Sequence, residues 1–261
     1  VMLEPAVLST RDLTVRFGGH VAVNAVTADF HRGTLTAIVG PNGAGKTTYF
    51  NVISGQISAY SGSAILNGED ISSLSIAERT HRGLGRAFQL TNLFPNLSVL
   101  ENVRLVVQSH MHSGFDLFSR ADGHQELIDK AEHYLARVNL LDAFEQPVSS
   151  LPHGDQRKLE VALLLALGSD VLMFDEPTAG MSVDEVPVVL DLIQEIKADK
   201  SRTILLVEHK MDVIHALADR IIVLHNGTLV AEGDPQEVMQ QDVVQQAYLG
   251  NDPDADVREA S

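Results

Sequence analysis

The chain has 261 residues, 44% of them hydrophobic, which is an ordinary composition for a globular protein with one large domain or two small ones. Its formal charge of −16, from 35 acidic and 19 basic residues, predicts repulsion from nucleic-acid backbones and anionic lipid headgroups, so no nucleic-acid partner is expected. The sequence contains no cysteine, which excludes disulfides, thiolate zinc sites and cysteine nucleophiles.

No segment is long and apolar enough to cross a bilayer. The longest strongly apolar run, residues 161–167, is far shorter than the roughly 20 residues that a transmembrane helix needs. The first residues do not resemble a secretory signal. We therefore expect no direct membrane insertion, and attachment to a membrane should go through a protein partner.

Strand signals dominate the first third of the chain and return after residue 170. Alternating apolar stretches at residues 8–17 and 21–30 predict antiparallel strands. Asn67-Gly68 and Asn226-Gly227 predict hairpins, because both central positions of a type I′ turn need a positive φ. Three continuous apolar runs predict buried strands, and together with the helical spacing between them they favour a mostly parallel sheet covered on both faces: residues 34–39, 171–174 and 203–207.

Between residues 98 and 155 the strand signals vanish and apolar residues recur at helical spacing. We interpret residues 98–155 as a helical subdomain inserted into an α/β core formed by residues 1–97 and 156–250. The polar, acidic residues 251–261 are expected to be a flexible tail.

A phosphate-binding loop follows the predicted strand at residues 34–39. Gly40-Pro41-Asn42-Gly43-Ala44-Gly45-Lys46-Thr47 matches the pattern G-x-x-x-x-G-K-[ST] in full and precedes a helical pattern. Its glycines let backbone N–H groups converge on phosphate oxygens, and the helix N-terminus adds a partial positive charge. Lys46 is predicted to neutralise the β- and γ-phosphates of ATP, and Thr47 to ligate Mg²⁺. The fold class is therefore a P-loop NTPase core of α/β type, with an antiparallel β subdomain and the inserted helical subdomain.

Two acids, Asp175 and Glu176, end a predicted buried strand. Buried carboxylates need a partner, which Mg²⁺ and a polarised water would supply. Asp175 would hold Mg²⁺ through its water shell, and Glu176 would orient or deprotonate the attacking water. The alternative is a strand end that reaches solvent with two surface acids. His209 follows the strand at 203–207 and would reach the γ-phosphate from the same sheet edge, whereas a lone histidine is more often structural.

These motifs, in this order, resemble the nucleotide-binding subunit of an ABC transporter over nearly the whole chain. The resemblance implies that Phe17 stacks on adenine and that residues 40–48 form the Walker A motif. It implies that Gln89 is the Q-loop glutamine, which contacts Mg²⁺ and the attacking water, and that residues 179–182 form the D-loop. The nucleotide-contacting residues implied for the Walker A motif are Gly40, Asn42, Gly43, Gly45, Lys46, Thr47 and Thr48. Asp175 matches Walker B, Glu176 the catalytic carboxylate and His209 the switch histidine.

The signature motif departs from the L-S-G-G-Q of that family and reads Leu151-Pro152-His153-Gly154-Asp155. In the family this segment presents a serine hydroxyl and backbone N–H groups to the γ-phosphate bound by the opposite subunit. Pro152 offers neither group, whereas Gly154 and the following helix N-terminus remain and His153 has a donor. We expect Pro152, His153 and Gly154 to contact nucleotide, and leave open which atom replaces the serine.

The altered signature is similar to the branch that serves branched-chain amino acid importers, which also includes urea and short-amide uptake systems. Arg16-Phe17-Gly18-Gly19, Val207-Glu208-His209 and Ala247-Tyr248-Leu249-Gly250 fit the same branch. The resemblance implies an ATPase on the cytoplasmic face of the membrane, in a homo- or heterodimer with a second ATPase subunit. Two membrane permeases and a periplasmic or extracellular binding protein complete such systems. An exporter ATPase of the lipopolysaccharide type and a non-transport ABC ATPase remain alternatives, and the solute is not predicted.

Apolar residues near Gln89 are expected to form the groove that receives a permease: Leu90, Leu93, Phe94 and Leu97. The alternative is that they pack beneath the helical subdomain.

Overall fold

The computed structural model describes residues 6–87, 93–111, 121–181, 183–184 and 186–249. Ten strands occur in these ranges. In chain order they are β1 (Ala6–Phe17), β2 (His20–His31), β3 (Leu35–Val39), β4 (Ser61–Leu66), β5 (Glu69–Asp70), β6 (Leu84–Ala87), β7 (Val171–Asp175), β8 (Thr203–Val207), β9 (Arg220–His225) and β10 (Thr228–Gly233).

The described strands form two sheets. The smaller is antiparallel, with the strand order β2-β1-β4-β5. The larger has the order β10-β9-β3-β8-β7-β6, and every neighbouring pair in it is parallel except β9 with β10. The predicted α/β fold, with a mostly parallel sheet and an antiparallel β unit, is confirmed.

Nine α-helices occur in the described ranges. In chain order they are α1 (Lys46–Ser54), α2 (Ile76–His81), α3 (Val99–Met111), α4 (Ala121–Arg137), α5 (His153–Ala166), α6 (Val186–Ala198), α7 (Met211–Leu217), α8 (Pro235–Met239) and α9 (Asp242–Leu249). Short 3-10 turns at Leu141–Ala143 and Val148–Ser150 connect α4 to α5. None of the described helices combines the length and apolarity that crossing a membrane would require.

The central strands β3, β7 and β8 are buried along their whole length, and their side chains alternate between two hydrophobic clusters. Leu172 and Phe174 face a cluster that includes residues of α3 to α7. Val171 and Met173 face the other cluster, which includes α1 and the antiparallel sheet. A sheet buried on both faces explains why these strands are continuous apolar runs in the sequence.

Both hairpins predicted from Asn-Gly pairs are present. Asn67 and Gly68 join β4 to β5 with φ angles of 50° and 82°, and Asn226 and Gly227 join β9 to β10 with 47° and 78°. Two strand pairs, β4 with β5 and β9 with β10, are therefore joined by turns that need left-handed backbone.

The region predicted to be helical contains α3, α4 and the start of α5. Because α5 continues to Ala166 and packs with α3 and α4, the predicted boundary between residues 155 and 156 falls inside this helix. The division into core and inserted subdomain stays a prediction, and any such division must treat α5 as shared.

Candidate active site

An open cleft of about 470 Å³ lies where the β1–β2 hairpin, the loop before α1 and the loops after β7 and β8 meet. Because β3, β7 and β8 are parallel, the residues that follow them collect at one edge of the sheet. The side chains and backbone that line the cleft belong to Phe17, His20, Ala22, Asn42, Gly43, Ala44, Gly45, Lys46, Thr47, Thr48, Glu176 and His209.

Two glycines are required by the path of the loop before α1. Gly40 has a φ of 144°, and a Cβ there would lie 2.1 Å from the carbonyl oxygen of Leu224. Gly45 has a φ of 95°, and a Cβ there would lie 2.4 Å from the carbonyl oxygen of Ala22. Any side chain at these positions would push the loop away from its neighbours, so backbone and not side chains forms the floor of the cleft.

Lys46 begins α1 and is only 5% exposed. Its Nζ donates to the carbonyl oxygens of Gly40 at 2.7 Å and Pro41 at 2.9 Å, so the ammonium group is folded over the loop. Burial lowers the pKa of Lys46, and the negative charge of Glu176 opposes that effect. The arrangement places a cation beside the helix N-terminus, which is the electrostatic setting for an anion.

Asp175, at the end of β7, is paired with Arg86. Nη2 of Arg86 lies 2.6 Å from Oδ2 of Asp175, and each side chain is 3% exposed. Nη1 of the same arginine donates to Oδ1 of Asn51 and Oγ of Ser54 on α1, both at 2.8 Å. Burial raises the pKa of Asp175, and the hydrogen bond and charge of Arg86 offset only part of that rise. Arg86 therefore gives this buried carboxylate a charged partner within the protein, and the role of Asp175 in holding Mg²⁺ stays a prediction.

Two of the residues expected to hold Mg²⁺, Thr47 and Asp175, carry the oxygen ligands that this ion prefers. Thr47 brings a hydroxyl to the cleft, and Asp175 brings a carboxylate to the end of β7. The described residues contain no group of three or more His, Cys, Asp or Glu side chains that could hold a metal. A magnesium site needs none, because Mg²⁺ keeps several waters and is completed by phosphate oxygens. Its role here stays a prediction.

Glu176 and His209 contact each other across the ends of two neighbouring strands. Nε2 of His209 lies 2.8 Å from Oε1 of Glu176, and the two side chains are about equally exposed, at 42% and 40%. Glu176 has a φ of 47°, an uncommon backbone conformation for a non-glycine residue, and its N–H donates to the carbonyl oxygen of Val207 at 2.9 Å. Uncommon backbone held by a neighbouring strand is typical of functional positions.

The residues of the altered signature are not among those that line the cleft. Pro152 is the N-cap of α5 and has no side-chain cap, and His153 is the first residue of the helix. Gly154 lines a separate small cavity beside Met181. Gln89 lies outside the described residues. The structure thus brings most of the predicted site residues together and leaves the signature apart.

Two residues at the site had no role in the sequence prediction. His20 lines the cleft beside Phe17, and its place between the two predicted antiparallel strands was the available signal. Arg86 reaches Asp175 from 89 residues away, a contact for which the sequence carries no signal.

Comparison with known proteins gives one family. The family model described as "ABC transporter" matches residues 23–179. The high-affinity branched-chain amino acid transport ATP-binding protein LivG of Escherichia coli K12 is 36% identical over 258 residues, which cover 95% of this chain and 99% of LivG. The lipopolysaccharide export system ATP-binding protein LptB of the same organism is 31% identical over 249 residues, covering 95% and 98%.

A solved structure supports the same comparison at the level of the fold. An ATP-binding cassette of an ABC transporter in its ADP conformation superposes with a TM-score of 0.80 at 26% identity, covering 95% of this chain and 100% of the other.

Replacing Lys46 by alanine should weaken ATP binding by more than tenfold, about 1.4 kcal/mol, because the phosphates lose the cation folded over the loop. Isothermal titration calorimetry with ATP measures the effect. Lys130→Ala, which removes an exposed lysine on α4, is the matched control and should bind ATP like the wild type. Equal affinities for wild type and Lys46→Ala would contradict the proposed phosphate loop.

Proposed function

The chain belongs to the ABC transporter family, and from that membership we propose that it is the ATPase subunit of an importer for branched-chain amino acids. The observation that carries the solute class is the match to LivG along almost the full length of both chains. That the chain is an ATP-hydrolysing ABC subunit follows from the family itself.

In the proposed reaction, Lys46 and the backbone of residues 40–48 hold the phosphates of ATP, while Phe17 stacks on adenine. Thr47, Asp175 and Gln89 are proposed to hold Mg²⁺, which neutralises phosphate charge when bound. Glu176 orients or deprotonates the attacking water, and His209 contacts the γ-phosphate. The 2.8 Å contact between Glu176 and His209 supports this assignment, because it keeps both groups at the same edge of the cleft.

We propose that a second ATPase subunit completes the site. In one chain the cleft has the phosphate loop on one side, and the altered signature at the start of α5 lies elsewhere. Two subunits placed head to tail would each supply a signature to the other's nucleotide. His153 is exposed at the first position of α5, which makes its ring the available side-chain donor in place of the serine.

Permeases on the membrane, with an external binding protein, are the remaining proposed partners, and the chain would then lie on the cytoplasmic face of the membrane.

Phe94 is the residue that we propose contacts a permease. This residue is 55% exposed, and Asn102 holds its backbone on both sides. The Phe94 N–H donates to Oδ1 of Asn102 at 2.8 Å, and Nδ2 of Asn102 donates to the Phe94 carbonyl at 3.2 Å. An exposed aromatic ring on a backbone held in this way suits a protein interface. Leu93 instead packs against the hydrophobic core, and Leu90 lies outside the described residues.

An exporter ATPase is the second candidate, supported by the match to LptB. Co-expression with each class of permease, followed by purification of the complex and uptake of labelled leucine into a transport-deficient host, tests the two. A stable complex with leucine uptake supports the importer, and a complex only with lipopolysaccharide permeases overturns it. Urea or short-amide uptake by the assembled importer would change the solute and keep the direction of transport.

Replacing His209 by alanine should leave ATP affinity within about twofold and lower steady-state hydrolysis by about a hundredfold or more, because Glu176 loses its partner and the γ-phosphate a donor. A coupled phosphate-release assay measures turnover. His81→Ala, at the end of α2, is the control and should hydrolyse ATP normally. Unchanged turnover in His209→Ala would make this residue structural.

Replacing Glu176 by glutamine should produce a stable dimer in ATP but not in ADP. The substitution stops hydrolysis and removes a negative charge near the phosphates, so the closed state that ATP favours persists. Size-exclusion chromatography with each nucleotide gives the answer. A monomer in both would remove the homodimer and leave a heterodimer with an ATPase that carries an intact signature, because Pro152 lacks the serine hydroxyl.

Replacing Phe94 by glutamate should prevent co-purification with the permeases and spare ATP affinity, because Phe94 is not among the described residues that line the nucleotide cleft. Leu141→Glu, at another exposed apolar residue, is the control and should leave assembly intact. Normal assembly of Phe94→Glu would rule out this surface.

A further inference from the structure

Two side-chain hydrogen bonds join the loops that follow β7 and β8. The outer one is the contact between Glu176 and His209 at the cleft. The inner one runs from Oγ1 of Thr178 to Oε1 of Glu208, at 2.7 Å. Thr178 is 1% exposed and Glu208 3% exposed, so the inner bond is closed to water.

Glu208 is a buried acid without a role in the proposed reaction. Burial raises its pKa, and the hydrogen bond from Thr178 lowers it. A buried carboxyl costs folding free energy unless a partner satisfies it, and an apolar side chain would avoid the cost. The position of Glu208 directly before His209 therefore indicates that its hydrogen bond with Thr178 has a function.

The inner bond is connected to the outer one through the backbone of both loops. On the first loop, the N–H of Ala179 donates to the carbonyl oxygen of Glu176 at 3.0 Å, which closes a turn around Thr178. On the second loop, Glu208 and His209 are adjacent in the chain. The backbone bond from Glu176 to Val207 holds the ends of the two strands together, and the bond between Thr178 and Glu208 is the next link, which fixes the two loops on either side of Glu176 and His209.

We propose that the hydrogen bond between Thr178 and Glu208 positions His209 against Glu176. This inference rests on the proposed function, in which Glu176 and His209 act on ATP. Thr178 and Glu208 are positioning residues, since neither lines the cleft in the described part of the chain.

The test compares Thr178→Val with Thr36→Val. Both substitutions exchange a buried hydroxyl for a methyl group, and the Thr36 hydroxyl has no hydrogen-bond partner among the described residues. Turnover is measured per nucleotide-binding site found by calorimetric titration, so that unfolded protein is not counted. Thr178→Val should lower kcat by about tenfold or more and leave the KM for ATP within about twofold, whereas Thr36→Val should retain normal kcat. Normal kcat in Thr178→Val overturns the proposal.

Two further variants distinguish a bond that positions His209 from a bond that only compensates for the burial of the Glu208 carboxyl group. Glu208→Gln keeps the acceptor oxygen and should retain kcat within about threefold. The double variant Thr178→Val/Glu208→Leu removes both polar groups and should remain as slow as Thr178→Val. Recovery of kcat in the double variant, or a loss in Glu208→Gln as large as in Thr178→Val, overturns the proposal.

Failure of this inference is distinct from failure of the proposed function. If the wild type, assembled with its permeases, hydrolyses no ATP, the proposed function falls. If the wild type hydrolyses ATP and all four variants equal it, the inference alone falls.

Discussion

The site depends on the in-register parallel pairing of three buried strands. Val207 pairs with Ile38 on one side and with Asp175 on the other, so the ends of β3, β8 and β7 stand level with one another. The start of the phosphate loop, His209 and Glu176 each lie within two residues of the paired residues Ile38, Val207 and Asp175. A slip of one residue in any pair would turn the side chains of that strand to the opposite face and take its loop out of the cleft. Burial on both faces is what makes the register specific.

The same burial explains how much of the fold could be predicted from sequence. The strands β3, β7 and β8 were found because strands covered on both faces must be apolar throughout, and two hairpins were found because only a few residues tolerate left-handed turns. β6 was missed because Gly85 and Arg86 interrupt its apolar character. Glycine is favoured at residue 85 because a Cβ there would lie 2.6 Å from Oγ of Ser169. Arg86 forms a buried ion pair with Asp175. Both residues are determined by contacts with parts of the chain that are distant in sequence, so a local hydrophobic pattern cannot predict them.

The cleft has positive groups of its own, although the chain as a whole is strongly negative. The protein carries a formal charge of −16, yet its phosphate loop is built from backbone N–H groups, a helix N-terminus and the folded-over ammonium of Lys46. Asp175 does not oppose this, since Arg86 neutralises it within the core. A buried ion pair rarely stabilises a fold more than apolar side chains of similar volume would. The pair between Arg86 and Asp175 is therefore better explained by keeping an anionic oxygen at the end of β7 than by stability.

The same electrostatic reasoning applies to the altered signature at the start of α5. A helix N-terminus attracts an anion, and an acid in the first turn, such as Asp155, would compete with it. Here Nζ of Lys158 lies 2.6 Å from Oδ1 of Asp155, so the charge of that acid is largely balanced within the helix. Pro152 brings no side-chain cap, so the first turn carries no internal acceptor at the N-cap position. The absence of the serine thus removes one hydroxyl and keeps the positive field of the helix N-terminus, which we propose acts on a phosphate bound by a second subunit.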